Sequence, residues 1–217
     1  MSYITNIRDF FVGFEKTGLP APKPTGLVTN YNSTKPSEVK YNLKDKDPWC
    51  AAFASLMISV CDCTHAAKIF ECSCGRMIER AKKAGLWIED DNYMPVVGDL
   101  IMYDWDDSGK GDNTGWPDHV GVVVDVSRND FTVLEGNVKN RIAQRHVLIN
   151  DKYIRGFISL TEKAYEETVD PDVVLQKAKE TVLGKYGNGK ERRARLGRWY
   201  TSVQARVNQY YKNGMVW

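Results

Sequence analysis

Asp47-Pro48-Trp49-Cys50-Ala51-Ala52-Phe53-Ala54 is the stretch on which the reading of this chain turns. Asp47 has the character of a helix N-cap, and Pro48 suits a first helical position, where its missing N–H costs nothing. The apolar, helix-compatible run from Ala51 to Val60 follows, so the stretch predicts a helix. Cys50 then falls in the first turn, where unpaired backbone N–H groups and the helix dipole favour a thiolate. A cysteine on an apolar helix is more often a small core residue than a nucleophile. Cys50 lies at the helix end that lowers a thiol pKa, and a nucleophilic role then needs a histidine and a polar group to orient it.

The 217 residues fit one large domain, or one domain with a small appendage. An apolar fraction of 42% is enough for an ordinary core. The net charge of +2, from 30 basic and 28 acidic residues, excludes a nucleic-acid binder driven by bulk charge. Met1 to Phe14 lacks the apolar core of a signal peptide, and no apolar run reaches membrane-spanning length. The expectation is a soluble chain made in the cytoplasm, with no membrane partner. Five cysteines, an odd number, argue against a disulfide framework.

Ile4, Ile7, Phe10, Phe11 and Phe14 predict an amphipathic helix over 3–17, ended by Thr17-Gly18-Leu19-Pro20. Prolines make 20–25 extended, and 26–46 reads as a helical turn and a polar connection. A helix from about Ser73 to Ala84, with Met77, Ile78 and Ala81 on one face, closes at Gly85. After Pro95 come short β-branched runs: Asp99–Asp104, His119–Val126, Phe131–Gly136, Ala143–Ile149 and Ile154–Leu160. Turn residues such as Arg128-Asn129-Asp130 separate them, so an antiparallel meander or half-barrel is expected. Helices first and strands after give an α+β domain over 1–160. A polar segment at 161–170 reads as a linker, and 171–217 as a small three-helix unit with helices at 172–183, 189–197 and 200–211.

His119 opens its strand beside Gly121, while Val120, Val122, Val124 and Val126 share the other face by alternation. His65 and His146 carry no such signal. On the next strand Glu135 and Asn137 fall on one face if the strand is regular, with Gly136 letting the backbone bend. Either of them, accepting the far-nitrogen proton of His119, would fix its tautomer and complete a thiol-protease-type set with Cys50.

Asp47-Pro48-Trp49-Cys50-Ala51-Ala52-Phe53, Gly98-Asp99-Leu100-Ile101, Trp116-Pro117-Asp118-His119-Val120-Gly121 and Glu135-Gly136-Asn137 resemble, in order and spacing, the CHAP domain. The name denotes the cysteine, histidine-dependent amidohydrolase/peptidase family, common in phage lysins, and the resemblance covers about 28–160. It implies a papain-like fold, Cys50 as nucleophile, His119 as base, and Glu135 and Asn137 as its partners. It also implies peptidoglycan as the substrate, with an acyl-enzyme formed at the thiol. The backbone N–H of Cys50 is the candidate oxyanion donor, and Trp49 and Trp116 are candidate substrate contacts.

Val182 to Arg193, followed by Val203-Gln204-Ala205-Arg206-Val207-Asn208, resembles the three-helix wall-binding repeat of some pneumococcal and streptococcal phage lysins. Tyr186 and Trp199 would offer faces to a sugar and Arg192 would meet carboxylates, although Trp199 serves equally well as core. The chain shows one copy of this unit.

Cys61-Asp62-Cys63 and Cys72-Ser73-Cys74 raise the question of zinc, with a tighter spacing than usual. Asp104, Asp106 and Asp112 mimic a calcium loop whose twelfth position is Gly115 rather than Glu. We read the first as no metal site and the second as a polar hairpin loop, with calcium as the alternative, and expect no cofactor. The expected function is a modular endolysin cleaving a peptidoglycan amide, as an amidase or endopeptidase. A non-catalytic wall-binding protein and an intracellular cysteine protease are the alternatives; the intact set of Cys50, His119, Glu135 and Asn137 speaks against the first, and the tail against the second.

Overall fold

The computed structural model describes residues 2–91, 93–106, 114–127, 130–161, 171–196 and 199–217. The chain divides into two compact units, Met1–Thr161 and Glu162–Trp217, and each has its own core. Apart from Thr161, the expected linker at 161–170 lies outside the described residues, as do Arg128 and Asn129.

In the first unit α1 (Tyr3–Thr17) begins at Ser2, whose hydroxyl accepts from the Thr5 N–H. It ends where Gly18 turns to φ +93°. Next come β1 (Ala21–Pro22), α2 (Leu27–Thr34), α3 (Cys50–Val60), α4 (Ala66–Ile69) and α5 (Cys74–Ala84). Gly85 closes α5 in the left-handed conformation, as its sequence predicts. The strands are β2 (Trp87–Ile88), β3 (Leu100–Tyr103), β4 (His119–Val126), β5 (Asp130–Val138), β6 (Arg141–Leu148) and β7 (Ile154–Ile158).

These strands form one sheet in the order β1-β6-β5-β4-β3-β7-β2, and every neighbouring pair is antiparallel. All five strands read from the sequence form, as β3 to β7; β3–β6 make the expected meander, while β7 returns to pair with β3. The architecture is α+β: the helices cover one face of the sheet, where α3 lies in the main core with Val120, Val122, Val124 and Leu134. Ile101, Val123, Phe131, Val133 and Phe157 form a second cluster. Val126 packs on the same core as Val120, Val122 and Val124, as alternation predicts, and it also touches the second cluster beyond the β4–β5 register shift between Val123 and Asp125.

Asp47 and Pro48 do not start the helix. Asp47 instead closes its own turn, accepting from the Lys44 N–H at 2.8 Å and the Tyr41 hydroxyl at 2.9 Å. The first helical residue is therefore Cys50 itself, with no side chain capping the turn. A helix as apolar as α3 on all sides must be surrounded, and eight of its residues are buried.

The second unit consists, among the described residues, of α6 (Pro171–Val182), α7 (Gly189–Leu196) and α8 (Tyr200–Lys212). Ala178, Leu196, Val203 and Val207 form its core, with Tyr186, Trp199 and Tyr200 packed around them. Gly184 and Gly187 between α6 and α7, and Gly189 at the start of α7, all take positive φ, a path open to glycine and strained for other residues. No described helix of either unit is long and apolar enough to cross a membrane.

Candidate active site

Cys50 sits at the N-terminus of α3, where helical N–H groups have no intrahelical acceptor. Three groups from different elements converge on its thiol. Cys74, the first residue of α5, places its Sγ 3.8 Å from the Cys50 Sγ. His119 from β4 and the Ala51 N–H also act on it, each favouring the thiolate. Cys74 is the largest of the influences that hold the Cys50 thiol well below its ordinary value, overcoming burial, with His119 and Ala51 adding to it. The same contact and burial push Cys74 well up, so the proton of the pair stays on Cys74. The segment leading into α5 is tied to α3 by Ser55, whose hydroxyl donates to the Glu71 carbonyl at 2.9 Å and accepts from the Glu71 N–H at 3.0 Å.

His119 points Nε2 at the Glu135 carboxylate, 3.7 Å away. That is an ion-pair separation rather than a hydrogen bond, and Nε2 has no hydrogen-bond partner among the described residues. Burial lowers the His119 pKa, but the Cys50 thiol and Glu135 outweigh it and raise the imidazole to about 9. Glu135 is only 1% exposed. Burial alone would raise its carboxyl, yet His119 and Arg145 hold it below the usual carboxylate range. Arg145 grips it with two bonds, Nε to Oε1 at 2.8 Å and Nη2 to Oε2 at 3.0 Å.

Gly121 makes room for this arrangement. A Cβ there would lie 2.9 Å from the Glu135 Cγ and 2.3 Å from a Val133 methyl. Gly136 does the same on the helix side, where a Cβ would lie 2.6 Å from the Phe53 Cβ and 2.8 Å from the Trp49 ring. The expectation that β5 runs regularly through Asn137 is not met. The β5–β6 register shifts between Glu135 and Val138, and Asn137 adopts φ +66°, a conformation that asparagine tolerates. Glu135 is the residue that faces the imidazole, and the described hydrogen bonds include none between Asn137 and His119.

The other predicted contacts divide. Trp116 is 66% exposed, with its ring lying over Gly75 on α5, next to Cys74. Trp49 is 1% exposed and donates from Nε1 to Asn140 Oδ1 at 3.0 Å, so it is core and presents no face to a ligand. In the tail Arg192 is spent internally on Gly187, Gln204 and Asn188, fastening the glycine turn to α8, which leaves it poorly placed for a ligand carboxylate. Tyr186 donates to Glu180, and Trp199 packs on the small core. Asp104 Oδ1 accepts from the Asp106 N–H, closing a local turn, while Asp112 lies outside the described residues. The four remaining cysteines do not converge, and the described residues contain no group of three or more potential metal ligands.

Two residues at this site went unforeseen. Cys74 was visible only as half of a C-x-C pair. Arg145 was hidden by the bulge: a regular two-residue hairpin pairing Val138 with Arg141 would set Glu135 opposite Gln144. The observed register sets Glu135 opposite Ala143 and Val133 opposite Arg145, which brings Arg145 to the face of Glu135.

Residues 42–137 match the CHAP domain. Residues 176–210 match the CW_7 repeat, a cell-wall-binding unit. No curated protein and no solved structure matches the chain. The CHAP match spans Cys50, His119 and Glu135, and the repeat spans most of the second unit. An amidohydrolase/peptidase domain and a wall-binding repeat in one chain support a peptidoglycan hydrolase.

Proposed function

We propose that this chain is a phage endolysin, or a prophage-derived equivalent, that cuts a peptidoglycan amide with Cys50 as nucleophile. The observation that carries the proposal is the convergence of the Cys74 thiol, His119 and the Ala51 N–H on one buried sulfur at a helix start. A structural cysteine needs no such group of proton partners, whereas a thiolate nucleophile does.

The geometry supports the following chemistry. The thiolate attacks the carbonyl carbon, and charge develops on the carbonyl oxygen. The Cys50 N–H, at the first helical position, is a preorganised donor for that oxygen. Protonated His119 donates to the departing amine, whose C–N bond breaks, leaving an acyl group on sulfur. Neutral His119 then takes a proton from water as the water attacks the thioester, and the thiolate leaves. Glu135 steadies the imidazolium and orients the ring. Trp116 offers an exposed aromatic wall beside the thiol pair, and the repeat tethers the enzyme to an insoluble substrate.

Purified walls incubated with wild type, Cys50→Ser and His119→Ala give the test, read by mass spectrometry of the released fragments. Wild type should release new amine termini, and their position separates cleavage between muramic acid and L-alanine from cleavage within the peptide. Both variants should release none while keeping wild-type circular dichroism. Wild-type fragment release by Cys50→Ser would overturn the thiol mechanism.

A further inference from the structure

We propose that Arg145 is a positioning residue for this reaction, holding Glu135 in place so that Glu135 in turn orients His119. The inference rests on the thiol mechanism proposed above and adds a residue to it.

Glu135 is a buried carboxylate, and an ionised carboxylate out of water needs a cation. His119 cannot fill that need throughout the cycle, because it gives up its proton to the leaving amine. Arg145 does not titrate in the working range, so its charge persists when the imidazole is neutral. Its two bonds also fix the carboxylate in rotation. With Oε1 and Oε2 each held by one nitrogen, Oε2 is left directed at Nε2 of His119. A lysine would supply the charge without the planar fork.

Arg145 is itself constrained. Its guanidinium lies over the rings of Tyr103 and Trp105, at 5.4 Å and 5.3 Å from their centroids. Those two rings also flank the His119 ring, at 5.9 Å and 6.1 Å. One cation is thus stacked against the aromatic residues that border the imidazole and bonded to the carboxylate that faces it. β5 contributes the bulge that puts Arg145 within diagonal reach of Glu135. The charged and titratable groups around Glu135 are His119 from β4, Arg145 from β6 and the Tyr103 hydroxyl from β3, with Asp151 acting on Arg145 from beyond β6.

The experiment measures kcat, KM and the pH profile of kcat/KM on a soluble muropeptide prepared from purified walls. Wild type, Arg145→Gln, Arg145→Lys, Glu135→Gln and the Glu135→Gln/Arg145→Gln pair are compared. Active sites are counted by iodoacetamide titration, so that misfolded molecules do not enter kcat. Arg145→Gln should lower kcat about 10- to 100-fold, the range for losing a residue that orients a functional group, with KM within about twofold. The acidic limb should move to higher pH, because Glu135 without its permanent cation takes up a proton more readily. Arg145→Lys should recover part of the rate. The double variant should be no worse than the poorer single one, since both act through the same imidazole.

A raised KM at unchanged kcat would overturn the proposal and make Arg145 a substrate contact. Wild-type kinetics in Arg145→Gln would also overturn it, as would additive losses in the double variant. Cys50→Ser run alongside separates the two readings. If it is active, the thiol mechanism itself falls. If it is inactive while Arg145→Gln behaves as wild type, only the role of Arg145 is lost.

Discussion

Gly136→Ala perturbs the spacing between the helix that carries Cys50 and the strand that carries Glu135. The φ of Gly136 is not positive, so an alanine there meets no backbone obstacle. Its methyl would lie 2.6 Å from the Phe53 Cβ, 2.7 Å from the Phe53 Cγ and 2.8 Å from the Trp49 ring. Comfortable carbon–carbon separations are about 3.5–4.0 Å, so strand and helix must part by about 1 Å. Overpacking of this kind costs about 1–3 kcal/mol. At roughly 2–4 °C per kcal/mol for a unit of this size, Tm should fall by about 2–12 °C. Phe53 and Trp49 flank Cys50, so the same movement carries the thiol away from the Glu135 side of the site. A misplacement of about 1 Å costs on the order of 100-fold in rate. Thermal melting and kcat on soluble muropeptide, measured on one preparation, check both figures. Wild-type Tm and rate together would refute the claim that this glycine is required for its lack of volume.

Iodoacetamide at neutral pH should label Cys50 before Cys61, Cys63, Cys72 or Cys74, because Cys50 alone has a lowered thiol pKa while the others are raised; peptide mapping that finds another cysteine labelled first would refute this. Cys74→Ala removes the donor to the Cys50 thiolate, so the thiol pKa should rise and the alkylation-rate curve should move to higher pH. Cys74→Ser should move it less, and an unmoved curve in Cys74→Ala would show that the sulfur contact is inert. A chain ending at Thr161 should keep wild-type kcat on soluble muropeptide yet clear whole walls more slowly; unimpaired clearing would show that the repeat adds nothing to wall attack.

The elements that the sequence made legible are those with enough length to show a period. α1, α5 and the β3–β6 meander repeat their apolar residues at 3.6 or 2 over several turns or pleats. β1 and β2, with two residues each, have no period to read, and they exist because β6 and β7 offer them an edge. At the candidate site, Cys50, His119 and the pair Glu135 and Asn137 could be picked out because each sits beside a local signal: a helix start or a neighbouring glycine. Cys74 and Arg145 could not, since their positions depend on how α5 docks and on one extra residue in β5. The internal partners of Trp49 and Arg192 are illegible for the same reason. A tryptophan beside a nucleophile and an arginine beside a glycine turn look available until a partner such as Asn140 or Gln204 is seen to occupy them.

The three groups that acidify Cys50 come from α5, from β4 and from its own helix start, so no short piece of the chain contains the reactive thiol. An unfolded or half-synthesised chain carries five ordinary cysteines, and Cys50 differs from the rest only once α3, α5 and β4 have packed. Its reactivity towards an electrophile is therefore a gauge of folding, readable without any substrate. During refolding from denaturant, the rate of Cys50 alkylation reports when the last of these elements has docked.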